Sequence, residues 1–422
     1  MTRLPDDAGM RGQRIVGVVA GAVLVAGAGV GAPAAAAAVE RYPVPADGIF
    51  RIEGHGWGHG RGLSQWGAYQ AAAEGRTAAQ ILAFYYPGTT LTPAGPPAIR
   101  VWLTSDTGRD LVVRARPGLA AGIGSAAVKR LAVRPAGCRS NATSWRVRTT
   151  KAGLTLSAYC RAWRTVATTK TGSVRFSSSS GIVQTKNGSA RRGYRGVVGA
   201  VRISATSVRV VNTLPMEQYL RTVVPAESSP SWPTEALRAQ SIAARTYAAV
   251  EAARRKGGGF DVYDSTRSQV YPAAFAYSSS WRVTGTREHA STDAAIRATA
   301  RVLVTRGTVP VLTQFSSSNG GVSASSPLPH MISRVDPWDA RATRNPRLAW
   351  TDSISARTLR ARYPSVGTVR SLEVVSREGL GPFGGRVTQL RIVGSAGSRT
   401  VSGDTAIRAA LGTNSSLLTF TG

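Results

Sequence analysis

The pattern of apolar and polar positions changes along the chain. From about residue 97 to 212, short runs in which apolar residues alternate with polar ones, such as DLVVRAR and WRVRTT, are separated by Gly, Ser and Thr turns. The strongest helical signals follow, from Pro215 to about Val223 and from Pro233 to about Lys256, each opened by proline. The sequence therefore predicts an α+β fold with a mixed sheet core, a long helix and a β-rich accessory region.

Two shorter helices are predicted near the start of the chain. Residues 54–62 contain too many glycines for a helix, and Ser64 then has the position of an N-cap for a helix that ends near Gly75. Thr77 caps a second helix that continues through Tyr86 and is stopped by a Pro-Gly pair. Further along, strand-like runs such as RVLVTR and VTQLRIVG alternate with short helical patterns.

The first residues indicate export. Three arginines precede an apolar run from residue 15 to about 30, and an alanine stretch at 34–38 follows, which predicts a secretory signal peptide over residues 1–38. The run is rich in Gly and Ala and falls short of the roughly 20 apolar residues of a spanning helix, so we expect cleavage rather than a retained anchor. Residues 39–47, VERYPVPAD, are predicted as a linker. The mature chain is expected to be secreted or wall-associated, with no stable membrane span.

The composition adds a formal net charge of +31 at pH 7. Such a surface attracts anions. Nucleic acid is a poor candidate, because the chain has no basic helix, aromatic RNA-binding signature or zinc-finger spacing and is predicted to be exported. Anionic wall polymers and peptide carboxylates suit it better. Nearly all the basic residues are arginines, as a GC-rich genome produces, so the charge alone is weak evidence.

Cysteine usage agrees with an oxidising compartment. The two cysteines, Cys138 and Cys160, both lie in the exported part and predict one disulfide. The alternative is a pair of unpaired thiols in the core. Their number and spacing do not suit a metal site, and no cofactor is expected.

The most informative stretch covers residues 214–248 and contains Glu227, predicted on a short Pro- and Ser-bounded connection between two helices. Its apolar neighbours Val224, Pro225 and Trp232 disfavour the ionised carboxylate and raise its pKa, as a general acid requires. The alternative is an ordinary surface glutamate in a turn.

Other polar residues are candidates for binding a sugar chain. Gln240, Arg245 and Tyr247 lie one to two turns apart on the long helix and can line a groove; alternatively, Tyr247 packs in the core and Arg245 pairs with a carboxylate. In FSSSNGGVSAS, Ser318 and Asn319 can present hydrogen bonds to a glycan, although such a segment is also common in simple polar turns.

The segment GHGWGHGRGLSQWGA, residues 54–68, combines glycines with histidines and tryptophans. Glycines allow close approach of the backbone, and the aromatic rings supply stacking faces. His55 and His59 have the spacing of metal ligands, but only Glu53 is near enough in sequence to complete a set. We therefore expect a structural or groove-lining role for both histidines and no metal.

Together these segments resemble the SpoIID/LytB family, the peptidoglycan lytic transglycosylases of sporulation and their amidase-enhancer relatives. The stretches that carry the resemblance are residues 54–89, 214–248, 265–271, 315–323 and 384–412. The resemblance implies that Glu227 is the catalytic residue. Within the matching motifs, we also assign substrate binding to Gln269, Ser64 and Gln65.

The order of the motifs differs from that of the family. In the relatives the GHGWGHG-type stretch lies at the C-terminal end, whereas here it comes first, so the chain is predicted to be circularly permuted, with residues 49–89 packed beside 385–421. The predicted organisation is a signal peptide at 1–38, a linker at 39–47, the GHGWGHG segment packing on the catalytic core at 48–90, a β-rich accessory region with one disulfide at 91–200, and a catalytic domain at 201–422.

The resemblance implies cleavage of MurNAc–GlcNAc bonds in peptidoglycan glycan strands, with 1,6-anhydro products and a preference for glycan stripped of stem peptides. A single glutamate is enough for this reaction, because the C6 hydroxyl of the substrate attacks the anomeric carbon. Hydrolysis ordinarily needs two carboxylates. The alternative hypothesis is a non-catalytic wall-binding enhancer of an N-acetylmuramoyl-L-alanine amidase, and a weaker one is a basic wall-tethered adhesin.

Overall fold

The computed structural model describes residues 38–96, 98–170 and 172–421. All but the last residue of the predicted signal peptide lies outside this range. The α-helices of the described part are α1 (Gln65–Ala73), α2 (Ala78–Tyr85), α3 (Met216–Glu227), α4 (Thr234–Arg254), α5 (Ala290–Ala298), α6 (Ala356–Arg362) and α7 (Asp404–Leu411). None of the helices in the described residues is long and apolar enough to cross a membrane.

The strands of the first half are β1 (Glu40–Pro43), β2 (Ile49–His55), β3 (Leu63–Ser64), β4 (Thr90–Pro93), β5 (Ala98–Trp102), β6 (Asp110–Arg114), β7 (Leu119–Ile123), β8 (Lys129–Arg130), β9 (Ser144–Thr150), β10 (Gly153–Tyr159), β11 (Trp163–Thr169), β12 (Ser173–Ser178), β13 (Ile182–Asn187), β14 (Ala190–Arg195), β15 (Val197–Arg202) and β16 (Val208–Pro215). Those of the second half are β17 (Val262–Tyr263), β18 (Phe275–Tyr277), β19 (Val283–Thr286), β20 (Val302–Arg306), β21 (Val309–Pro310), β22 (Phe315–Ser316), β23 (Val322–Ser323), β24 (Arg334–Val335), β25 (Ala349–Ser355), β26 (Val369–Arg377), β27 (Val387–Gly394), β28 (Gly397–Ser402) and β29 (Leu418–Thr421).

The two predicted N-terminal helices are confirmed together with their caps. The hydroxyl of Ser64 accepts from the backbone N–H of Gly67, and Thr77 forms a capping box with Gln80. Each cap satisfies backbone donors that have no partner in the first helical turn. The long helix also forms as predicted, within two residues at its C-terminal end, whereas the short helix α6 was not predicted.

Two large sheets form the β-rich region. One has eight strands in the order β11-β10-β9-β6-β13-β14-β18-β19, and the other has seven in the order β17-β5-β16-β15-β12-β7-β8. Both contain strands that follow residue 202, and one buried cluster joins Trp145 and Phe176 to Leu220 and Val224 of α3. The α+β class is therefore confirmed, and the predicted boundary near residue 200 runs through a shared core.

A second core forms where the two ends of the described chain meet. Strand β2 lies between β25 and β29, so Arg51–Gly54 pairs with Leu418–Thr421. Phe50 and Ile52 pack there with Leu390 and Phe420. The prediction of a linker at residues 39–47 is wrong for its first half, because β1 pairs with β26 along four residues.

The helices α1 and α2 pack on the long helix α4. Leu63, Ile81 and Leu82 share a buried cluster with Ile242 and with two alanines of α4, Ala239 and Ala243. Alanines let neighbouring helices approach closely while apolar area is removed from water. This contact holds the GHGWGHG segment against the helix that follows Glu227.

The predicted disulfide between Cys138 and Cys160 is present, with the two Cα atoms 5.8 Å apart and a sequence separation of 22 residues. The bridge connects the loop before β9 to the end of β10. Because it restricts the unfolded chain more than the folded one, reduction is expected to lower the free energy of unfolding by about 3 kcal/mol.

Chemical denaturation of the oxidised and reduced protein measures this difference. A Cys138→Ala/Cys160→Ala variant should have the stability of the reduced protein and should not respond to reductant. Equal stability of the oxidised and reduced forms would show that the loop is already constrained in the unfolded chain.

Candidate active site

Backbone contacts join the GHGWGHG segment to residues 314–324. Strand β3 pairs in parallel with β22. Trp57 and Ser318 exchange both backbone hydrogen bonds, at 2.9 and 3.1 Å, and the N–H of Ala324 donates to the carbonyl oxygen of Gly60. The two glycine-rich segments thus lie side by side, although some 250 residues separate them in sequence.

This closeness requires glycine. Gly56 has a φ of +76°, and a Cβ atom there would lie 2.7 Å from the backbone nitrogen of Gly320. Gly62 has a φ of +65°, and a Cβ atom would collide with the carbonyl oxygen of Gln314. Both positions therefore demand a left-handed backbone and the absence of a side chain.

A buried acidic pair, Asp336 and Asp339, accepts hydrogen bonds from both glycine-rich segments and holds them together. Ser64 and Ser318 donate to Asp339 at 2.7 and 2.9 Å, and Asn319 donates to Asp336 at 2.7 Å. Burial, together with the charge of Asp339, raises the pKa of Asp336 to about 6. The structure thus places Ser64, Ser318 and Asn319, assigned to substrate binding from the sequence, inside a structural network without exposure to solvent.

Glu227 is the last residue of α3, rather than part of the connection after it as the sequence predicts. Its Oε1 accepts from the backbone N–H of Val270 at 3.0 Å, and its Oε2 from the side-chain amide of Gln65 at 3.4 Å. Burial raises the pKa of Glu227, while these two hydrogen bonds act in the opposite direction. The carboxyl is therefore biased toward its protonated form and held in a fixed orientation.

Glu227 opens into a cleft of about 460 Å³. Side chains from the GHGWGHG segment, the long helix, the 265–271 stretch and the strand before Ser318 surround it. The residues that line it are Trp57, Gly58, His59, Gln65, Glu227, Tyr247, Thr266, Arg267, Ser268, Gln314, Phe315, Ser316, Ser317 and Arg408. Among these lining residues Glu227 is the one carboxylate, whereas Arg267 and Arg408 bring positive charge.

Three of the assigned substrate-binding residues line this cleft: Gln65, His59 and Tyr247. Nδ1 of His59 accepts from the backbone N–H of Arg61 at 3.0 Å. Burial, followed by the charge of Arg61, lowers the pKa of His59 to about 3. The imidazole is therefore neutral near pH 7 and carries its proton on Nε2.

The structure places the other assigned residues elsewhere. Arg245 is fully buried and pairs with Glu217, with its Nη2 2.7 Å from Oε2. Gln269 is buried and bonded to Tyr219 and to the carbonyl oxygen of Ala244. Gln240 is buried in α4, and His55 is half-buried against Phe383. None of these four side chains lines the cleft, because Gln240, Arg245 and Gln269 are buried in the core and His55 packs on Phe383.

Several residues that line the cleft are not predicted from the sequence. Arg267 belongs to the 265–271 stretch, where only Gln269 was selected, and its guanidinium lies 3.9 Å from the ring centre of Tyr263. Ser316 and Ser317 precede the selected Ser318. Alternation along a strand identifies neighbouring residues that face opposite sides, but it does not tell which side faces the cleft.

Comparison with known proteins gives an independent match in this region. Residues 204–305, which include Glu227 and the 265–271 stretch, match the SpoIID family, described as stage II sporulation protein. An uncharacterized protein of Brachyspira hyodysenteriae is 40% identical over 93 residues, covering 21% of this chain and 25% of that protein. The amidase enhancer of Bacillus subtilis is 33% identical over 147 residues, covering 33% of this chain and 17% of that protein.

The stage II sporulation protein D of Bacillus subtilis is 26% identical over 159 residues, covering 34% of this chain and 45% of that protein. The chain thus spans less than half the length of these curated relatives. The similarity concerns a domain rather than the whole protein.

The low pKa of His59 predicts a pH dependence of stability. The unfolded chain binds a proton at this side chain near pH 6.5, whereas the folded protein does so only near pH 3. The unfolded state is therefore favoured as pH falls between these values, and the contribution of His59 to stability is complete above pH 6.5. In chemical denaturation, the wild type should gain more stability from pH 4.5 to pH 7 than a His59→Asn variant.

Asparagine keeps an acceptor for the N–H of Arg61 but cannot be protonated in this range. A His289→Asn variant, altered at an exposed histidine, serves as the control and should retain the wild-type gain. Identical gains in the wild type and His59→Asn would mean that the His59 pKa is not lowered in the folded protein.

Proposed function

Because this chain belongs to the SpoIID/LytB family through the SpoIID domain at residues 204–305, we propose that it remodels peptidoglycan as a lytic transglycosylase. The substrate would be the MurNAc–GlcNAc bond of glycan strands. The observation that carries the proposal is a single carboxylate, Glu227, whose pKa is raised by burial and which lines a cleft together with Arg267 and Arg408.

The proposed reaction uses Glu227 twice. Its protonated carboxyl donates to the bridging oxygen while the bond between that oxygen and the anomeric carbon of MurNAc breaks. The C6 hydroxyl of the same sugar attacks the anomeric carbon, and its proton passes to the Glu227 carboxylate. A 1,6-anhydro ring forms, the leaving chain keeps a hydroxyl, and the enzyme regains its starting protonation state.

The surroundings of Glu227 suit this double role. Burial favours the neutral acid before the reaction, and the donors from Val270 and Gln65 stabilise the carboxylate once the proton has left. Hydrolysis with two carboxylates is poorly served, since no second carboxylate lines the described cleft. No cofactor is needed for any step.

The charge of the cleft suits an anionic polymer. Arg267 and Arg408 line it with Glu227, and Arg267 is exposed and without a carboxylate partner among the described residues. A free carboxylate on the lactyl group of MurNAc is one anion that a guanidinium binds well. We propose secretion and retention at the wall, where anionic polymers meet the basic surface.

The name of one relative, the amidase enhancer of Bacillus subtilis, supports a second candidate. In this alternative the cleft binds glycan without cleaving it, and the protein promotes the action of an N-acetylmuramoyl-L-alanine amidase. The two functions differ in the fate of the glycan, because an enhancer leaves no anhydro ends when the amidase is absent.

A Glu227→Gln variant tests the catalytic role. Glutamine keeps the size of the side chain and can still accept from Val270, but it cannot transfer the proton, so release of anhydro-muropeptides should fall by about 10²- to 10⁴-fold. Mass spectrometry of intact and peptide-stripped wall after incubation with each protein measures the products.

The matched control is Glu53→Gln, which removes an exposed carboxylate directly before the GHGWGHG segment and should leave product release unchanged. Equal amounts of anhydro-sugar from the wild type and Glu227→Gln would refute catalysis by this residue. Stimulation of an added amidase by both proteins would then favour the enhancer.

The raised pKa of Glu227 predicts the pH dependence of cleavage. Since the acid must be protonated, kcat/KM should be highest below its pKa and fall as pH rises through it. A Gln65→Leu variant loses a donor that stabilises the carboxylate, so the pKa of Glu227 rises further and the decline should begin at higher pH.

Rates on peptide-stripped glycan between pH 4 and pH 9 measure this shift. Gln70→Leu, on the same helix but bonded to Glu74, is the control and should keep the wild-type profile. A decline in Gln65→Leu at lower pH than in the wild type would contradict the role given to Gln65.

A further inference from the structure

A cluster of three aromatic side chains lies on the surface beside the cleft. Trp66 and Tyr69 belong to α1, and Trp232 belongs to the connection between α3 and α4. The ring centres of Trp66 and Trp232 are 4.9 Å apart, and each lies 5.4 Å from that of Tyr69. The three rings border a depression of about 430 Å³ together with Ser231, Pro233 and Arg344.

The fold does not use these rings as core. All three are only partly buried, and none belongs to a buried hydrophobic cluster of the described residues. Large apolar rings that remain in contact with water lose the free energy that burial would supply. A contiguous aromatic surface of this kind is typical of a binding site.

The cluster lies next to the cleft that contains Glu227. Trp66 directly follows Gln65, which donates to the Glu227 carboxylate. The backbone N–H of Trp66 donates at 3.0 Å to the carbonyl oxygen of Ser317, a residue that lines the cleft. A chain of several sugars that extends beyond the cleft on this side can reach the aromatic cluster.

The chemistry of the depression suits a sugar ring. A pyranose ring has apolar faces formed by C–H groups and an edge of hydroxyl groups, so it needs flat aromatic surfaces with polar groups at their margin. Trp66 and Trp232 supply such surfaces. Arg344 lies at the margin, is exposed, and donates from Nη1 to the hydroxyl of Tyr69 at 3.0 Å; it has no ion-pair partner among the described residues.

We propose that Trp66, Tyr69 and Trp232 form a second sugar-binding subsite, which holds a ring of the glycan strand away from the bond that is cleaved. This subsite rests on the proposed function, since it extends the same cleft. It makes binding depend on chain length: a strand that reaches both the cleft and the cluster binds more tightly than a short one.

The test uses N-acetylglucosamine oligosaccharides of two to six sugars as probes, with binding to the full mature chain measured by calorimetry. The wild type should bind the hexasaccharide at least about tenfold more tightly than the disaccharide, the ratio expected from one well-covered aromatic face. Trp232→Ala should lose most of this gain while its affinity for the disaccharide stays the same.

Trp281→Ala is the matched control. This tryptophan is also partly buried, and it packs between the guanidinium groups of Arg114 and Arg191, away from both depressions. It should leave the length dependence intact. If Trp232→Ala is poorly folded by thermal denaturation, Tyr69→Ala replaces it, because Tyr69 lies on the surface of α1 and the same loss is expected.

The outcomes separate the subsite from the catalytic proposal. A normal length dependence in both Trp232→Ala and Tyr69→Ala would overturn the subsite, whatever the activity of the protein. The subsite would also be overturned if these two variants lost affinity for free stem peptides rather than for oligosaccharides. If the two variants lose the length dependence while the wild type releases no anhydro products, the subsite is supported and the proposed enzymatic activity is rejected.

Discussion

The architecture of this protein depends on the close backbone contact between the GHGWGHG segment and residues 314–324. The contact forms only because Gly56 and Gly62 have positive φ angles and no side chains in the way. It fixes the position of α1, and α1 carries Gln65 to the carboxylate of Glu227. A shift of either segment would therefore alter the position of the groups that surround the proposed acid.

The buried pair Asp336 and Asp339 differs from Glu227 in how its carboxylate oxygens are hydrogen-bonded. Asp336 and Asp339 are buried together and are satisfied by donors from three parts of the chain, so their desolvation is offset by hydrogen bonds and they fix the glycine-rich contact. Glu227 has two donors and faces a cleft. The same kind of side chain is thus structural where its oxygens are fully satisfied, and available for chemistry where one face remains open.

The two ends of the described chain contribute to one structure. Strand β2 inserts between β25 and β29, and α1 and α2 pack on α4. The segment that precedes the β-rich region thereby reaches the helices that follow it. We infer that the order of motifs along the chain has little effect on the site, because strand pairing and helix packing depend on proximity in space rather than in sequence.

The sequence by itself determined the local features: the caps at Ser64 and Thr77, the long helix and the disulfide. These follow from interactions within a few residues or from residue chemistry. Only the tertiary structure decided which polar groups face the cleft. Arg245 turns toward Glu217 in the core, while Arg267 lines the cleft, because the direction of a side chain is set by packing between elements far apart in sequence, and that packing leaves no local pattern.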